Sequence, residues 1–344
     1  MEQIIKFGII GTGAIAGQHA AAIAASDTAE LIAVCSSSED RAKSAGNKFK
    51  VAAYDDLDKF LETPELDAVC ICTASGHHME AAIKAAQYKK HILVEKPIEI
   101  NLERADKMIQ ACQQNGVILG VVFQNRFNEG YHQLKQAVQE GKLGKLLMGN
   151  AYIKWFRNED YYKSSDWKGT LKGDGGGALI NQGIHTIDLL LDIMGEVDDV
   201  YGQVKTAMHT IEGEDLASAL INFKNGAMGN ITAGTSLYPG YPERLEVYGT
   251  HGSVILEAGK IVAWNIQGEE NRLENPHVEK ASGAADPMAI GHYLHQLQIE
   301  DMVSAIRENG EPLITGEVAK QSLALIKGIY RSSEEGKNMA ININ

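Results

Sequence analysis

Short apolar runs alternate with polar or alanine-rich segments over the first third of the chain. The runs IIKFGIIG, LIAVCS, LDAVCICTA, HILVEKP and VILGVVFQN have the length and continuous apolar character of buried strands. Segments of helical composition follow most of them, among them AIAGQHAAAIAAS, EDRAKSAGNKF, HHMEAAIKAAQYKK and ERADKMIQACQQNG. This alternation predicts a parallel sheet covered by helices on both faces.

The pattern changes after about residue 123. RFNEGYHQLKQAVQEGKLG predicts a helix, and longer strand candidates follow, some with period-two alternation as at Leu245 and Val247. Asn225-Gly226, within FKNGAMGNI, predicts a β-hairpin. Two more helices are predicted after about His292. This half therefore predicts an α+β domain built on a large, mostly antiparallel sheet.

The length supports a division into two domains, because 344 residues exceed one ordinary hydrophobic core. We place an α/β, doubly wound domain at residues 1–123. The α+β domain follows at residues 124–344, and its C-terminal helices could pack back on the first domain. The apolar fraction of 44% and the charged fraction of 22% are those of a globular protein.

Charge and cysteine content exclude several functional classes. The net charge is −13 without a dense Lys/Arg cluster, which disfavours a nucleic-acid partner. The four cysteines lack zinc-ligand spacing, and three lie in apolar runs, so we expect reduced thiols in a cytoplasmic protein. MEQIIKFGIIG has no signal-peptide features, and no apolar run approaches the roughly 20 residues of a membrane span.

The first chemical motif is FGIIGTGAIA, which reads G-x-G-x-x-A between a predicted strand and a predicted helix. In this context the pattern predicts a Rossmann dinucleotide site that binds NAD or NADP. The first glycine permits a tight turn, the second lets backbone N–H groups approach a pyrophosphate, and Ala16 packs the helix on the strand. The predicted phosphate loop consists of Gly11, Thr12, Gly13, Ala14 and Ile15.

The end of the second strand bears on the choice between NAD and NADP. An acidic residue there would bind the ribose hydroxyls of NAD, but the chain has Ser36. Ser36, Ser37 and Arg41 could hold a 2′-phosphate, so the sequence favours NADP weakly. Arg41 is equally compatible with a solvated helix surface.

A second motif, HILVEKPIE, places Glu95 and Lys96 at the carboxyl end of a strand, where parallel sheets bind ligands. A lysine there can donate to a substrate hydroxyl, and its charge favours a developing alkoxide. The tripeptide alone would equally suit an ordinary surface turn.

The third feature is GDGGGALINQGIHTIDLL. At helical spacing Asn181, His185, Asp188 and Asp192 form one stripe flanked by apolar residues, which suits the lining of a cleft between domains. Asp188 could accept from His185 and fix its tautomer. We interpret the three glycines as a backbone that approaches the cofactor or bends at the cleft.

Other interpretations of this region stay open. His185 could be a half-buried histidine with a structural carboxylate partner. One histidine with scattered Asp and Asn is a poor ligand set for zinc, so we predict no metal. Tyr161, Tyr162, Trp167 and Lys168 could line the substrate site or belong to the core. Arg126 could reach the substrate or the cofactor amide.

Together GTGAIA, TASGHHMEAAIKAAQYKKHILVEKP and GGGALINQGIHTIDLL resemble the glucose–fructose oxidoreductase/inositol dehydrogenase/rhizopine-catabolism (Gfo/Idh/MocA) family. The resemblance extends essentially end to end. It implies an N-terminal Rossmann domain and a C-terminal domain whose sheet often mediates oligomers, here a homodimer or homotetramer. It also implies NAD(P)-dependent oxidation or reduction of sugars, inositols, sugar acids or nucleotide sugars.

The resemblance also implies roles for individual residues. Lys96 matches the family's active-site lysine and His185 its catalytic histidine. Many members carry Asp at the position of Asn181; an amide can only orient and hydrogen-bond, so acid/base work shifts to His185 and Lys96. The residues implied beside the nicotinamide are Thr73, Ala74, His78 and Glu95.

These observations predict an NAD(P)-dependent oxidoreductase acting on a polyhydroxylated small molecule. His185 takes the proton of the reacting hydroxyl, while Lys96 binds and polarises its oxygen. Arg126, Trp167 and Asn181 are further substrate-site candidates. Two alternatives are a glycosidase that oxidises its substrate transiently with NAD, and a non-catalytic dinucleotide-binding regulator, which would need neither Lys96 nor His185.

Overall fold

The structure is a computed structural model that describes residues 3–269 and 291–342. The chain divides into two compact units. The first comprises residues 1–124 and 291–320, and the second comprises residues 125–290 and 321–344. Residues 291–320 therefore belong to the first unit although they follow most of the second in sequence.

The sheet of the first unit is parallel and six-stranded, with the order β3-β2-β1-β4-β5-β6. This order is that of the dinucleotide-binding Rossmann fold, and it confirms the predicted fold class. The strands are β1 (Ile5–Ile10), β2 (Ala29–Cys35), β3 (Ala52–Tyr54), β4 (Ala68–Ile71), β5 (His91–Val94) and β6 (Leu119–Val121).

Helices follow the strands of this sheet along the chain. They are α1 (Ala16–Ala25), α2 (Glu39–Phe49), α3 (Leu57–Leu61), α4 (His78–Gln87) and α5 (Leu102–Asn115). The central strands are largely apolar because both faces of the sheet are buried, as at the adjacent residues Val69 and Cys70 of β4, which lie on opposite faces.

The second unit is built on an eight-stranded sheet with the order β13-β12-β11-β7-β10-β9-β8-β14. All neighbouring strands are antiparallel except β7 and β10, so the prediction of a mostly antiparallel sheet is confirmed. The strands are β7 (Leu146–Lys154), β8 (Val197–Lys205), β9 (Leu216–Phe223), β10 (Met228–Gly234), β11 (Arg244–Gly249), β12 (Gly252–Glu257), β13 (Lys260–Ile266) and β14 (Met339–Ala340).

The turn at Asn225-Gly226 joins β9 to β10 as an antiparallel hairpin, as predicted. Gly226 has a φ of +85°, which glycine adopts without strain. Burial alternates along β9, so one face of the sheet is packed and the other is exposed.

Helices α6 (Glu129–Gln139), α7 (Glu159–Lys163) and α8 (Ile184–Met194) belong to the second unit. α8 packs on β7 at Gly149, where a Cβ would lie 2.6 Å from the side chain of Met194. This close contact with the sheet leaves α8 little freedom to move.

Two long helices precede the last strand, β14. α9 (Tyr293–Glu308) contributes Ile299, Met302 and Val303 to the core of the first unit. α10 (Gly316–Glu335) is a 20-residue amphipathic helix. Across residues 3–269 and 291–342, no helix combines the length and the apolarity that crossing a bilayer requires.

Candidate active site

The predicted phosphate loop lies in the turn between β1 and α1. Gly11 has a φ of +95°, and a Cβ there would lie 2.7 Å from the backbone of Cys72, just after β4. Conformation and space therefore both exclude a side chain at Gly11. The Gly11 N–H donates to the carbonyl oxygen of Cys35 at 2.8 Å, which fixes the turn against the end of β2.

The space around Gly13 fits an anion. A Cβ at Gly13 would meet no atom within 4 Å. Helix α1 begins at Ala16. Its N-cap residue, Ile15, makes no side-chain capping hydrogen bond, and its first turn has no acidic residue. Backbone N–H groups and the helix dipole favour negative charge at such an end. The residues from Gly11 to Ile15 therefore fit the pyrophosphate of a dinucleotide.

The residues considered for cofactor choice lie together after β2. Ser36 is buried, and its hydroxyl accepts from the Thr12 hydroxyl at 3.1 Å. Arg41 Nη2 donates to the Ser37 hydroxyl at 3.0 Å on the exposed surface. Rossmann folds place the adenosine ribose of a dinucleotide at this strand end.

Glu95 and Lys96 follow β5 directly, and the Lys96–Pro97 peptide bond is cis. Glu95 is 6% exposed, and it accepts a 2.7 Å hydrogen bond from Nε2 of His19 in α1. Burial alone would raise the pKa of the Glu95 carboxyl group, but His19 and the charge of Lys96 lower it to about 2. The Lys96 N–H also donates to Glu95 at 3.2 Å, so this pair fixes the start of the lysine loop.

A second buried imidazole ring lies beside this pair. His295 of α9 packs edge-to-face against His19, with ring centroids 5.5 Å apart, and burial lowers the pKa of His295 to about 4. The ligating atoms of His19, Glu95 and His295 lie within 4.8 Å of one another, a set that could hold a metal ion. Two ligands of one zinc ion are roughly 3.3 Å apart, farther than the 2.7 Å between His19 and Glu95. We therefore interpret the group as a hydrogen-bonded pair packed against a neutral ring.

His78 connects the loops that follow β4 and β5. Its Nδ1 lies 2.9 Å from the carbonyl oxygen of Pro97, and its Nε2 lies 3.3 Å from that of Thr73. Burial lowers the pKa of His78, and a neutral imidazole donates through one nitrogen only. His78 therefore braces the two loops from within, while Thr73 and Ala74 are partly exposed at this edge of the sheet.

Sequence reasoning missed a second brace between the same loops. Glu99 is fully buried, and it accepts from Arg104 Nη2 at 2.8 Å and from the Met79 N–H at 3.2 Å. Arg104 Nη2 also lies 2.9 Å from the carbonyl oxygen of Gly76. The local sequence does not distinguish Glu99 from an ordinary loop carboxylate, because its partners come from other segments of the chain.

In the second unit, the three consecutive glycines have a steric explanation. A Cβ at Gly177 would lie 1.8 Å from the carbonyl oxygen of Glu214, and a Cβ at Gly176 would lie 2.3 Å from the Tyr330 hydroxyl. Gly175 has a φ of +84°. The backbone is packed tightly within its own unit, which argues against the bending alternative, while the approach of these glycines to the cofactor stays a prediction.

Glu214 anchors the segment that follows the glycines, and it too escaped sequence reasoning. Its carboxylate accepts from the Gly177 N–H at 2.9 Å and from the Leu179 N–H at 2.6 Å. Burial raises the pKa of Glu214, whereas these backbone bonds oppose the shift. Glu214 thus satisfies donors that a helix start leaves unpaired.

Asn181 lies in a π-helical turn rather than in the regular α-helix that the sequence predicted. Leu179–Gly183 form a π-helical turn before α8, so the spacing from Asn181 to His185 is not that of an α-helix. Asn181 Nδ2 instead lies 2.8 Å from each carboxylate oxygen of Asp174. Asp174 had not been identified as a candidate, although it directly precedes the three glycines.

His185 begins the regular part of this helix. From Asp174 to Leu191 every residue is buried except Asn181 and His185, which are partly exposed. A segment that is otherwise covered on all sides thus offers solvent one amide and one imidazole. Imidazole accepts and donates protons near neutral pH, which suits general acid/base chemistry.

Asp188 has a different principal partner from the one predicted. Arg126 is 6% exposed, and its Nε and Nη2 donate to the two oxygens of Asp188 at 2.7 and 2.8 Å. Its Nη1 donates to Asp192 at 2.9 Å, and Tyr131 and Lys135 also donate to Asp192. The planar fork of Arg126 is therefore directed at α8, where it anchors the helix.

The aromatic candidates separate into core and partly exposed residues. The Tyr162 hydroxyl lies 2.7 Å from that of Thr235 in the core. Lys168 Nζ lies 4.2 Å from the ring centroid of Tyr161, and burial lowers the pKa of Lys168. Trp167 is partly exposed, as a residue that stacks on a ligand must be.

Two protein-family models match this chain, one in its N-terminal part and one in its C-terminal part. The model of the oxidoreductase family with an NAD-binding Rossmann fold matches residues 5–123, and that of the GFO/IDH/MocA C-terminal domain matches residues 131–255. Together these models cover more than half of the chain.

Characterised relatives are similar over nearly the whole length. Myo-inositol 2-dehydrogenase of Thermotoga maritima is 29% identical over 98% of each chain. The NAD(+)-dependent scyllo-inositol 2-dehydrogenase of Bacillus subtilis is 26% identical, over 92% of this chain and 90% of the relative. The WlbA dehydrogenase of Bordetella pertussis, crystallised with NADH and UDP-GlcNAcA, superimposes with a TM-score of 0.88 at 31% identity, covering 99% of this chain and all of that one.

Proposed function

Because the chain belongs to the Gfo/Idh/MocA oxidoreductase family, we propose that it transfers a hydride between a nicotinamide cofactor and a secondary hydroxyl of a sugar, inositol, sugar acid or nucleotide sugar. The observation that carries this proposal is the exposure pattern from Asp174 to Leu191. Only Asn181 and His185 reach solvent there, and they are the groups that could orient a hydroxyl and take its proton.

The residues divide the work by their chemistry. When bound, the nicotinamide ring accepts the hydride in oxidation and supplies it in reduction. Lys96 donates to the substrate oxygen, and its charge stabilises the alkoxide that forms as the proton leaves. His185 takes that proton through an imidazole nitrogen, and Asn181 orients the substrate. Trp167 provides a partly exposed aromatic face for the sugar ring.

Arg126 has a supporting role in this proposal. Its fork binds Asp188 and Asp192, so it holds α8, and thereby His185, in place. His78 and Glu95 act similarly on the loops of the first unit. These residues position the catalytic groups.

The test is turnover measured at the NADH absorbance band with a panel of sugars, inositols, sugar acids and nucleotide sugars. We expect Lys96→Ala and His185→Ala each to lower kcat by about 100-fold or more while NADH affinity stays within about threefold. Lys89→Ala and His132→Ala remove exposed residues of the same types and serve as controls. Near-normal turnover in either site variant would remove that residue from the reaction.

The same panel separates the two alternatives. A glycosidase would retain bound NAD, cleave a glycoside and produce no net NADH. A regulator would bind the dinucleotide tightly without turning over any substrate. Net NADH formation distinguishes a dehydrogenase from both, and mass spectrometry of the copurifying cofactor shows whether the dinucleotide is retained.

Cofactor choice rests on the surroundings of Arg41. We propose that its position beside Ser37 allows NADP to be used alongside NAD. Kinetics with both cofactors, in wild type and in Arg41→Ala, test this point. A large kinetic advantage of NAD over NADP that Arg41→Ala leaves unchanged would contradict this proposal.

Quaternary structure and location complete the proposal. The exposed face of the second-unit sheet carries Leu220 and Met228, 61% and 54% exposed, which supports a homodimer or homotetramer through this face. Light scattering of wild type and Leu220→Asp tests it. All four cysteines are free and buried, which supports a reducing, cytoplasmic compartment.

A further inference from the structure

One buried carboxylate of the second unit takes no part in the proton transfer proposed above. Asp174 is 1% exposed, and a carboxylate so deeply buried needs partners that offset its lost hydration. Both of its oxygens accept from Asn181 Nδ2 at 2.8 Å, and Oδ2 also accepts from the Gly169 N–H at 2.9 Å. The charge of Asp174 extends further, since burial together with this charge raises the pKa of Tyr161 to about 12.

These bonds determine which way the Asn181 amide points. A carboxylate only accepts hydrogen bonds, so the NH₂ end of Asn181 turns toward Asp174 and the carbonyl oxygen turns to the opposite side. Asn181 shares with His185 the only partial exposure between Asp174 and Leu191. The orientation of the Asn181 amide therefore determines whether its carbonyl oxygen, an acceptor, or its NH₂ group, a donor, lies on the side away from Asp174.

We propose that Asp174 is a positioning residue that holds Asn181 with its carbonyl oxygen as the acceptor for a substrate hydroxyl next to the one that His185 deprotonates. This inference rests on the proposed function, in which Asn181 orients the substrate. It makes a substrate with neighbouring hydroxyl groups the preferred class, because one hydroxyl reacts while the other donates to Asn181.

Asp174→Asn reverses this polarity with almost no change in shape. The new amide can keep its carbonyl oxygen on the Gly169 N–H, so its NH₂ group faces Asn181, and Asn181 must turn over to accept. We expect a folded protein with a Tm close to that of wild type and unchanged NADH affinity. We expect kcat/KM for the polyol substrate to fall at least about tenfold, because a donor replaces the acceptor.

Asn181→Asp makes a complementary test. Two carboxylates would then face each other at about the present 2.8 Å, so one must take up a proton. We expect its activity, as a fraction of that of wild type at the same pH, to be low at pH 7 and to rise as the pH falls. In the exchange variant D174N/N181D, the amide at 174 donates to the carboxylate at 181, which again presents an acceptor. We expect this variant to regain kcat/KM to within about tenfold of wild type, with the wild-type pH profile.

A matched control comes from the edge region of the second-unit sheet. Asn222 Nδ2 donates to both oxygens of Asp199 at 3.1 and 3.2 Å, so Asp199→Asn makes the same chemical change elsewhere and should leave kcat/KM unchanged. Unchanged kcat/KM in D174N, or an exchange variant no more active than the single variants while all fold and bind NADH, would overturn the inference. Normal turnover in Lys96→Ala and His185→Ala would instead overturn the proposed function.

Discussion

His19 and Glu95 form a buried hydrogen-bonded pair that joins helix α1 to the loop carrying Lys96, with Nε2 and Oε1 2.7 Å apart. Its two residues are 76 positions apart in sequence, and they link the helix that follows the phosphate loop to the lysine loop. Neither side chain is exposed enough to be hydrated, so each depends on the other. The geometry of Lys96 is therefore coupled to α1.

Glu95→Gln should destabilise the first unit by about 3 kcal/mol, because it removes the charge that offsets the buried His19. We also expect kcat to fall, since the Lys96 N–H loses its carboxylate acceptor. Urea unfolding and steady-state kinetics measure the two effects. Glu103→Gln, which removes a carboxylate from an exposed pair with Lys107, is the control. A Glu95→Gln protein as stable as wild type would contradict the coupling.

His295 should make stability depend on pH in the weakly acidic range. Its pKa is lowered to about 4 in the folded protein, against 6.5 for an unburied histidine. Below pH 6.5 the unfolded chain binds a proton that the folded chain excludes. The free energy of unfolding therefore decreases as the pH is lowered from 6.5 to about 4. The loss approaches about 3 kcal/mol at the lower limit. His295→Phe should flatten this part of the curve, whereas exposed His132→Gln should not; equal slopes in all three proteins would refute the assignment.

The sheet of the first unit was predictable because its strands are short, apolar and separated by helical segments, and helices between parallel strands cover both faces of the sheet. The same applies to the hairpin at Asn225-Gly226, where a local pair of residues determines the turn. The positions of Gly11 and Lys96 at strand ends followed from these elements. All of this information is local in the sequence.

The features that were missed depend on distant partners or on small changes of period. A π-helical turn of five residues is indistinguishable from an α-helix in hydrophobic pattern, so the sequence could not show that Asn181 precedes the regular α-helix. Glu214, the partner of Gly177, lies 37 residues away. The helical spacing predicts His185, three residues before Asp188, as its partner, but Arg126 lies 62 residues before it. Local periodicity contains no record of such contacts.

Substitutions at Arg126 can show whether this residue anchors α8 or binds the substrate. Arg126→Met leaves Asp188 buried without its bidentate partner, so we expect a loss of about 3–5 kcal/mol in the free energy of unfolding. Arg126→Lys keeps a cation but not the fork, and should be less destabilising, with an unchanged KM for substrate. A large rise in KM in a fully stable Arg126→Lys protein would instead support a direct role in substrate binding.

A glycine-to-alanine substitution should have different effects at Gly177 and Gly13. At Gly177 it tests backbone packing, and at Gly13 it tests cofactor binding. Gly177→Ala would bring a Cβ to 1.8 Å from the Glu214 carbonyl oxygen, which is backbone and cannot move aside cheaply. We expect a loss of at least about 3 kcal/mol in stability, or no soluble protein. Gly13→Ala meets no protein atom within 4 Å, so stability should stay within about 1 kcal/mol of wild type.

The Gly13 variant should nevertheless bind NADH at least about tenfold more weakly, because its methyl group fills the space left for the pyrophosphate. Isothermal titration with NADH and thermal unfolding of both variants measure these effects together. Intact NADH affinity in Gly13→Ala would mean that the phosphates do not pass over this residue. A stable Gly177→Ala protein would mean that the glycine segment can move away from Glu214, and that its close packing is not what holds the helix start in place.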